Sequence, residues 1–408
     1  MTTSYPLHKI KVVLLENIHG AAARALEAEG YTVETHARAL SGSELLDAAG
    51  DAHLIGIRSK TRLDAGFFER ATRLWAVGCF CIGTNQVALA EAAARGVAVF
   101  NAPFSNTRSV AELTIAEIIA LHRGIFLRCA RMHLGRWSKS ASGAHEVRGR
   151  TLGIVGYGRI GSQVSILAEA LGMRVLFFDT ARCLPLGNAQ AVDALDDLLA
   201  RCDVVSLHVP STAATRRMIG AAQLGRMRKG AYFINNARGD VVDLDALAGA
   251  LRSGHLAGAA VDVFPEEPES NDDPFACALL GLDSVILTPH IAGSTEEAQN
   301  NIAEEVSTKL IRFMNNGSTS AAVNVPQVDL PVLHAGRRRI LHYHRNVPGV
   351  LSKIHRVIAD RGNNISAEYL QSDPKHSYVI IDVDSSQGEA LKEELGEIPE
   401  TIRVRTLW

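Results

Sequence analysis

Residues 151–180, TLGIVGYGRIGSQVSILAEALGMRVLFFDT, constrain the fold of this chain more than any other stretch. Thr151-Leu152-Gly153-Ile154-Val155 is a short apolar run of the kind that forms a strand covered on both faces of a parallel sheet. It leads directly into Gly156-Tyr157-Gly158-Arg159-Ile160-Gly161, after which Ile160, Val164, Leu167, Ala168 and Leu171 recur at helical spacing. A second strand over 173–178 ends on the acid Asp179. In that order Gly156 permits a tight strand-to-helix turn, Gly158 lets the backbone approach a pyrophosphate, and Gly161 lets the helix pack closely. The helix N-terminus, where Arg159 and Ile160 stand, offers unpaired N–H groups and a positive dipole end to phosphates. Asp179 lies 18 residues beyond Gly161, placed to hold ribose hydroxyls and to repel a 2′-phosphate. A glycine-rich turn alone is weak evidence. With strand, helix, second strand and terminal acid in register, the stretch reads as a site for NAD rather than NADP.

The bulk properties narrow what the rest can be. A chain of 408 residues has room for two or three domains with substantial cores. It carries 42 basic against 44 acidic residues, a net charge of −2, which gives no electrostatic case for nucleic acid or membrane surfaces. No run approaches ~18 consecutive apolar residues, the length a membrane helix needs. The opening MTTSYPLHKIKVVLLENIHG goes straight into a strand without the layout of a signal peptide, so a cytoplasmic location is expected. Cys79, Cys81, Cys129, Cys183, Cys202 and Cys277 include no C-x-x-C pair and have no further ligands nearby. They read as small hydrophobes in a reducing compartment, with no metal site.

Residues 9–103 alternate short strands (11–15, 31–35, 53–57, 74–79, 97–100) with helices, which implies a parallel sheet covered on both faces. Ligands of such sheets sit beyond the carboxyl ends of the strands, where Arg58, Ser59, Lys60 and Asn106 gather. Residues 109–137 read as one long helix with possible breaks at Gly124 and Gly135. A second alternating unit then runs to about residue 290. Another long helix over 296–315, capped by Ser294 or Thr295, returns after it. That return suggests a discontinuous first domain. The tail from residue 337 has the order βαββαβ, with a helix expected over 387–395, a ferredoxin-like split unit suited to regulation or oligomerisation.

Polar residues stand where the strands of the second unit stop. Arg238 follows Phe233-Ile234-Asn235-Asn236-Ala237, Glu267 lies past Val261-Asp262-Val263-Phe264-Pro265, and His290 follows Leu287-Thr288-Pro289. Oxidising an alcohol by hydride transfer requires a base for the hydroxyl proton, which suits His290. It also requires a carboxylate to orient that imidazole, as Glu267 can. A guanidinium to hold the substrate carboxylate completes the set, as Arg238 can. Singly, each has a bland alternative: Glu267 lies in the acidic loop Pro265-Glu266-Glu267-Pro268-Glu269, Arg238 suits a structural clamp, and His290 a turn. Asp262 is placed to meet the nicotinamide side of the cofactor, and His208 to line its loop.

These words resemble the D-isomer-specific 2-hydroxyacid dehydrogenases: IVGYGRIG (154–161), HVP (208–210), NARG (236–239), DVF (262–264) and TPH (288–290). GCFCIGTNQV (78–87), NAPFSNTRSVAEL (101–113), LPLGNA (184–189) and LTPHIAGSTEEAQ (287–299) bring the likeness to members with one C-terminal ACT domain. The resemblance implies a Rossmann-type doubly wound NAD domain (106–293) inserted in a discontinuous flavodoxin-like substrate domain (1–105 and 294–330), with an ACT domain over 337–408. It implies NAD-linked oxidation of 3-phosphoglycerate to 3-phosphohydroxypyruvate, with reduction of 2-oxoglutarate as a side activity. Arg238, Glu267 and His290 are then the catalytic trio. Gly156, Gly158, Arg159, Ile160, Gly161, Asp179, His208, Asn236, Ala237, Asp262 and Gly293 join Arg238 and His290 around the cofactor. Arg58, Ser59 and Asn106 contact substrate, and Lys60 stands where the family often has a second arginine, keeping charge but not bidentate geometry. Lys139 matches a lysine that reaches a neighbouring subunit's site in a homotetramer, and Arg38 is a candidate substitute for a lysine the family carries nearby. His344, Asn346 and Asn364 match positions that bind L-serine as an inhibitor.

Two other readings stay open at this point. One is a dehydrogenase of glycerate or lactate, which needs fewer cations than Arg58, Lys60 and Lys139 supply. The other is an NAD-sensing protein without turnover, against which the intact trio counts.

Overall fold

A computed structural model of the chain describes residues 5–268, 272–333, 336–384 and 388–407. The chain divides into two compact units, one of Met1–Ser105 with Gln299–Trp408 and one of Asn106–Ala298.

The first unit contains two sheets. Strands β1 (Lys11–Leu14), β2 (Thr32–Thr35), β3 (Leu54–Ile57), β4 (Ala76–Cys79) and β5 (Ala98–Asn101) form a parallel sheet in the order β2-β1-β3-β4-β5. Every residue of β3, β4 and β5 is buried, as expected of strands covered on both faces. Their side chains alternate between two cores. Val12, Leu54, Ala76 and Phe100 face one, while Val13, Ile55, Val77 and Val99 face the other. The first core is completed by the returning helix Glu296–Asn316, which contributes Ile302, Val306, Leu310 and Phe313. Gly78 in β4 makes room for it, since a Cβ there would lie 2.7 Å from Val306.

The tail forms the second sheet, an antiparallel one, from strands β13 (Arg338–Arg345), β14 (Ile365–Ser372), β15 (His376–Val383) and β16 (Thr401–Leu407), ordered β14-β15-β13-β16. (Strands β6 to β12 belong to the second unit.) Helices Val350–Asp360 and Gly388–Gly396 cover one face through Ile354, Ile358, Leu391 and Leu395. Gln387, where the last helix was expected to start, lies outside the described residues, as does Glu269. Arg339 is fully buried and forms a bidentate pair with Asp382 at 2.7 and 2.8 Å. Strand β16 is fastened to the first sheet's domain by Arg403, which donates to the Leu74 carbonyl, and by Arg405. The Arg405 guanidinium lies 5.2 Å from the Trp75 ring and 5.3 Å from Phe313.

The second unit holds a seven-stranded parallel sheet of β6 (Thr151–Val155), β7 (Arg174–Phe178), β8 (Gln190–Ala191), β9 (Val204–Leu207), β10 (Ala231–Asn235), β11 (Leu256–Val261) and β12 (Val285–Leu287). Its order, β12-β11-β10-β9-β6-β7-β8, reverses direction at β6, which places the turn after β6 at the switch point where doubly wound sheets bind ligands. The fold class is the one the alternation implies, α/β with a doubly wound sheet, a second flavodoxin-like order and a ferredoxin-like tail. The long helix is interrupted: Thr107–Arg123 and Ile125–His133 meet at Gly124, whose φ of +58° suits glycine. Gly135 lies beyond the second piece. The two-residue edge strand β8 is too short to register as a periodic pattern. Among the described residues no helix is long and apolar enough to cross a membrane.

Candidate active site

The glycine turn fits a dinucleotide by geometry. Gly156 has φ +92°, and a Cβ on it would lie 2.6 Å from the His208 carbonyl oxygen. A Cβ on Gly161 would lie 2.2 Å from the Gly156 carbonyl oxygen, so the helix Arg159–Ala170 packs onto the turn only because Gly161 has none. Gly158 is different. Nothing lies within 4 Å of where its Cβ would be, which leaves open space over the first N–H groups of that helix, Arg159 and Ile160 among them. Asp179, half-buried at the end of β7, accepts from the Tyr157 amide at 2.7 Å and the Ala181 amide at 2.8 Å. Those two bonds fix the carboxylate beside the turn. Tyr157 stacks on Phe177 with centroids 3.8 Å apart, anchoring the middle of the turn to β7. His208 follows β9. Burial pushes its pKa down to about 3, so it is neutral, and its buried Nδ1 has no partner among the described residues. An orphaned nitrogen beside the cradle suits a ligand that completes it.

Three strand ends of the same sheet carry Arg238, Glu267 and His290. After β10, Asn235 pins the turn by donating from Nδ2 to the Arg238 carbonyl (3.0 Å) and accepting from the Ala237 amide (3.2 Å). Arg238 is half-buried, and its guanidinium donates back to the Ala237 carbonyl at 2.6 Å. Gly239 is required next to it, because a Cβ there would lie 2.0 Å from the Phe264 carbonyl carbon. After β11, Glu267 accepts from the Phe264 amide at 3.1 Å and meets His290 Nδ1 at 2.8 Å. After β12, His290 itself sits at φ +54°, a left-handed conformation rare for a non-glycine residue.

What holds His290 there is Asp262. Its fully buried carboxylate accepts from Thr288 Oγ1 (2.6 Å), the Ile291 amide (2.8 Å) and the Ala292 amide (2.9 Å), while its carbonyl accepts from the His290 amide at 2.8 Å. Asp262, expected on the nicotinamide side of the cofactor, thus also shapes the histidine turn.

The electrostatics of the trio are mutual. The hydrogen bond to Glu267 raises the His290 pKa above its ordinary value against the opposing effect of burial, with the charges of Glu267 and Asp262 adding to it. Burial pushes the Glu267 carboxyl up, but the bonds from His290 and the Phe264 amide, with the charges of His290 and Arg238, bring it below its usual value. Arg238 acts on both partners, so the three groups share one electrostatic neighbourhood. His290 remains exposed.

The other expected residues are distributed as follows. Asn106 is half-buried with an Oδ1 that has no partner among the described residues, and Gly293 has to be glycine beside it, since a Cβ would lie 2.2 Å from Asn106 Nδ2. Asn236 is buried, and its Nδ2 donates to Glu117 and Thr114. Lys139 is exposed on the segment after the second helix piece. In the first unit Arg58, Ser59 and Lys60 form the loop after β3. That loop is built around Glu16, whose buried carboxylate accepts from the amides of Arg58 (3.1 Å), Lys60 (2.9 Å) and Thr61 (2.8 Å). Sequence reasoning missed Glu16, and the only local signal was an acid directly after a buried strand. Arg38 is taken up by an ion pair with Glu44. In the tail, His344 is buried in β13, Asn346 donates to the Asp373 carbonyl at 2.8 Å, and Asn364 is exposed just before β14.

Comparison with known proteins agrees with this geometry. Residues 115–292 match the NAD binding domain of D-isomer specific 2-hydroxyacid dehydrogenases, and residues 340–403 match an AHAS small subunit-like ACT domain. The chain is 53% identical over 401 residues to D-3-phosphoglycerate dehydrogenase of Haemophilus influenzae, covering 98% of both chains. It is 52% identical over 403 residues to the Escherichia coli protein of the same name, again covering 98% of each. Among solved structures, D-lactate dehydrogenase from Aquifex aeolicus, complexed with NAD and lactic acid, is similar with a TM-score of 0.66 at 30% identity. That match covers 75% of this chain and 96% of the other. The chain therefore belongs to the D-isomer-specific 2-hydroxyacid dehydrogenase family, within its D-3-phosphoglycerate dehydrogenase branch.

Proposed function

We propose that the protein oxidises D-3-phosphoglycerate to 3-phosphohydroxypyruvate with NAD, the entry step of L-serine synthesis. The observation that carries this reading is the His290–Glu267 pair at 2.8 Å with Arg238 acting on both partners. NAD, when bound, supplies the acceptor for the hydride that leaves C2. His290 takes the C2 hydroxyl proton at Nε2, since Nδ1 is held by Glu267. Glu267 fixes the ring orientation and stabilises the imidazolium that forms. Arg238 holds the substrate carboxylate and polarises the developing carbonyl oxygen. Arg58, Ser59, Lys60, Asn106 and Lys139 contact the rest of the substrate, and the three cations among them favour a phosphorylated acid. Asp179 selects NAD by accepting from ribose hydroxyls where a 2′-phosphate would be repelled.

The assembly suited to Lys139 reaching a neighbour's site is a homotetramer. The ACT domain supports feedback inhibition by L-serine at His344, Asn346 and Asn364. The test is NAD-dependent turnover of 3-phosphoglycerate against glycerate and lactate, with His290→Ala as control. The expected result is a preference for 3-phosphoglycerate and a loss of about 1,000-fold or more in the variant. Faster turnover of an unphosphorylated acid would reassign the substrate. No turnover of any of the three would leave a binding protein.

A further inference from the structure

One buried carboxyl group, bonded to the turn that carries Arg238, has no part in the trio. Glu117 lies on the helix Thr107–Arg123 and is 2% exposed. Its Oε2 accepts from Asn236 Nδ2 at 2.7 Å, and the same Nδ2 donates to Thr114 Oγ1 at 3.0 Å. Thr114 is itself tied to its helix through the Val110 carbonyl at 2.9 Å. Asn236 stands two residues before Arg238. The Arg238 turn is thus held from two sides, by Asn235 within the turn and by Asn236 against the helix.

Two acceptors in this cluster, Glu117 Oε1 and Asn236 Oδ1, are buried and have no partner among the described residues. An ionised carboxylate can only accept, so it leaves both unmet, whereas a carboxylic acid turns one of its oxygens into a donor. Buried acceptors without partners are costly, which favours the protonated form here. The charges around the helix point the same way. The elements packed on it, Arg159–Ala170, Ile125–His133, β10 and β11, bring Arg159, Glu169 and Tyr232, with Arg128, Arg131 and His133 on the short helix, and Arg238 and Asp262 lie just beyond the strand ends. Of these, the charge that acts on Glu117 is Asp262, and it is of like sign. Burial, with Asp262 adding to it, pushes the Glu117 pKa up to about 7 against the pull of the Asn236 hydrogen bond.

We propose that Glu117 is a positioning residue for Arg238, acting through Asn236, and that it does so as the neutral carboxylic acid. The inference rests on the assignment of Arg238 to the substrate carboxylate. Ionisation of Glu117 places a second negative charge in a closed space near Asp262, which also shapes the His290 turn, and loosens both turns together. The oxidation rate therefore has two limbs, rising with pH as His290 loses its proton and falling again as Glu117 loses its own.

The test compares the full-length wild type with Glu117→Leu, Glu117→Gln and Arg238→Ala in the 3-phosphoglycerate assay from about pH 6 to pH 9. Glu117→Leu removes the acceptor and is expected to lower kcat about tenfold. Glu117→Gln mimics the neutral acid; it is expected to restore kcat to within about threefold and to lack the falling alkaline limb. A silent Glu117→Leu, or a Glu117→Gln enzyme that keeps the wild-type alkaline limb, overturns the inference. A Glu117→Gln enzyme as impaired as Glu117→Leu overturns the neutral-acid role. Should Glu117→Leu fail to fold, the near-isosteric Glu117→Gln decides alone through the alkaline limb. Loss of activity in Arg238→Ala within an active enzyme secures the reading on which the inference rests, so failure of the two is told apart.

Discussion

The molecule contains two histidine arrangements that behave in opposite ways, and the contrast shows how environment assigns chemistry. In the nucleotide-binding unit His290 is exposed at the end of a strand and bonded to a carboxylate at 2.8 Å, and its pKa is raised. In the tail sheet His342 and His344 are buried one above the other in β13, with their Nδ1 atoms 3.1 Å apart. Burial, with the His344 charge adding to it, lowers His342 to about 4, and burial lowers His344 as well. The residue type is the same, but one site favours the imidazolium and the other excludes it. A carboxylate neighbour with access to solvent makes a base that can take a proton and give it up. An imidazole neighbour in a closed sheet makes a neutral hydrogen-bonding block.

The sharpest way to break that contrast is to remove the carboxylate. Glu267→Gln keeps the shape of the pair and deletes the charge. If His290 is the base of the proposed oxidation it must be neutral, so activity rises as pH passes through the raised pKa, and the acid limb lies above the ordinary histidine value of about 6.5. In Glu267→Gln that limb should move to lower pH, while kcat falls about 100-fold because the imidazolium is no longer stabilised. A pH–rate profile checks both, and an unmoved limb would separate Glu267 from the titration of His290.

The residues that show this chemistry in the sequence and those that do not differ in a physical way. The glycine turn is legible because each of its glycines answers a local demand of backbone geometry. Arg238, Glu267 and His290 are legible because polar residues directly after apolar runs fall at the carboxyl edge of a parallel sheet. Glu16, Asp262 and Glu117 are not legible in the same way. Glu16 bonds amides more than 40 positions away, Asp262 bonds a turn 26 to 30 positions on, and Glu117 meets Asn236 at a separation of 119. Nothing in the local pattern distinguishes a carboxylate that folds over a distant amide from one that faces solvent. The fold is legible for the converse reason: strands such as β3 and β4 are apolar throughout, and their alternation with helices leaves few arrangements. The break at Gly124 lay between the two, since a glycine inside a helical pattern marks a possible end but only tertiary packing decides.

The tail side of the comparison can be sharpened at its mouth. Asn346 is ordered by its bond to the Asp373 carbonyl, two residues beyond the buried His344. If this end of β13 receives the amino-acid effector, Asn346→Ala should raise the L-serine concentration for half-inhibition about tenfold or more. Steady-state inhibition curves measure it, and an unchanged curve would remove this residue from the effector site.

The smallest expected effect concerns the buried imidazoles themselves. The folded-state pKa of His342, at about 4, is depressed relative to the unfolded value of about 6.5. Above 6.5 neither state binds the proton, and the stability associated with this histidine is fully present. As pH falls from there toward 4 the unfolded chain takes up protons that the folded sheet refuses, so stability is lost. Between about pH 6.5 and pH 5 the loss amounts to about 2 kcal/mol, or a fall of about 5 °C in Tm. His342→Gln can keep a bond to Thr401 Oγ1, now at 2.8 Å from Nε2, without titrating. Thermal melts across this range should therefore be flatter for His342→Gln than for the wild type. Equal slopes would mean that His342 takes up its proton without leaving the sheet, and the contrast with His290 would then be one of exposure rather than of charge.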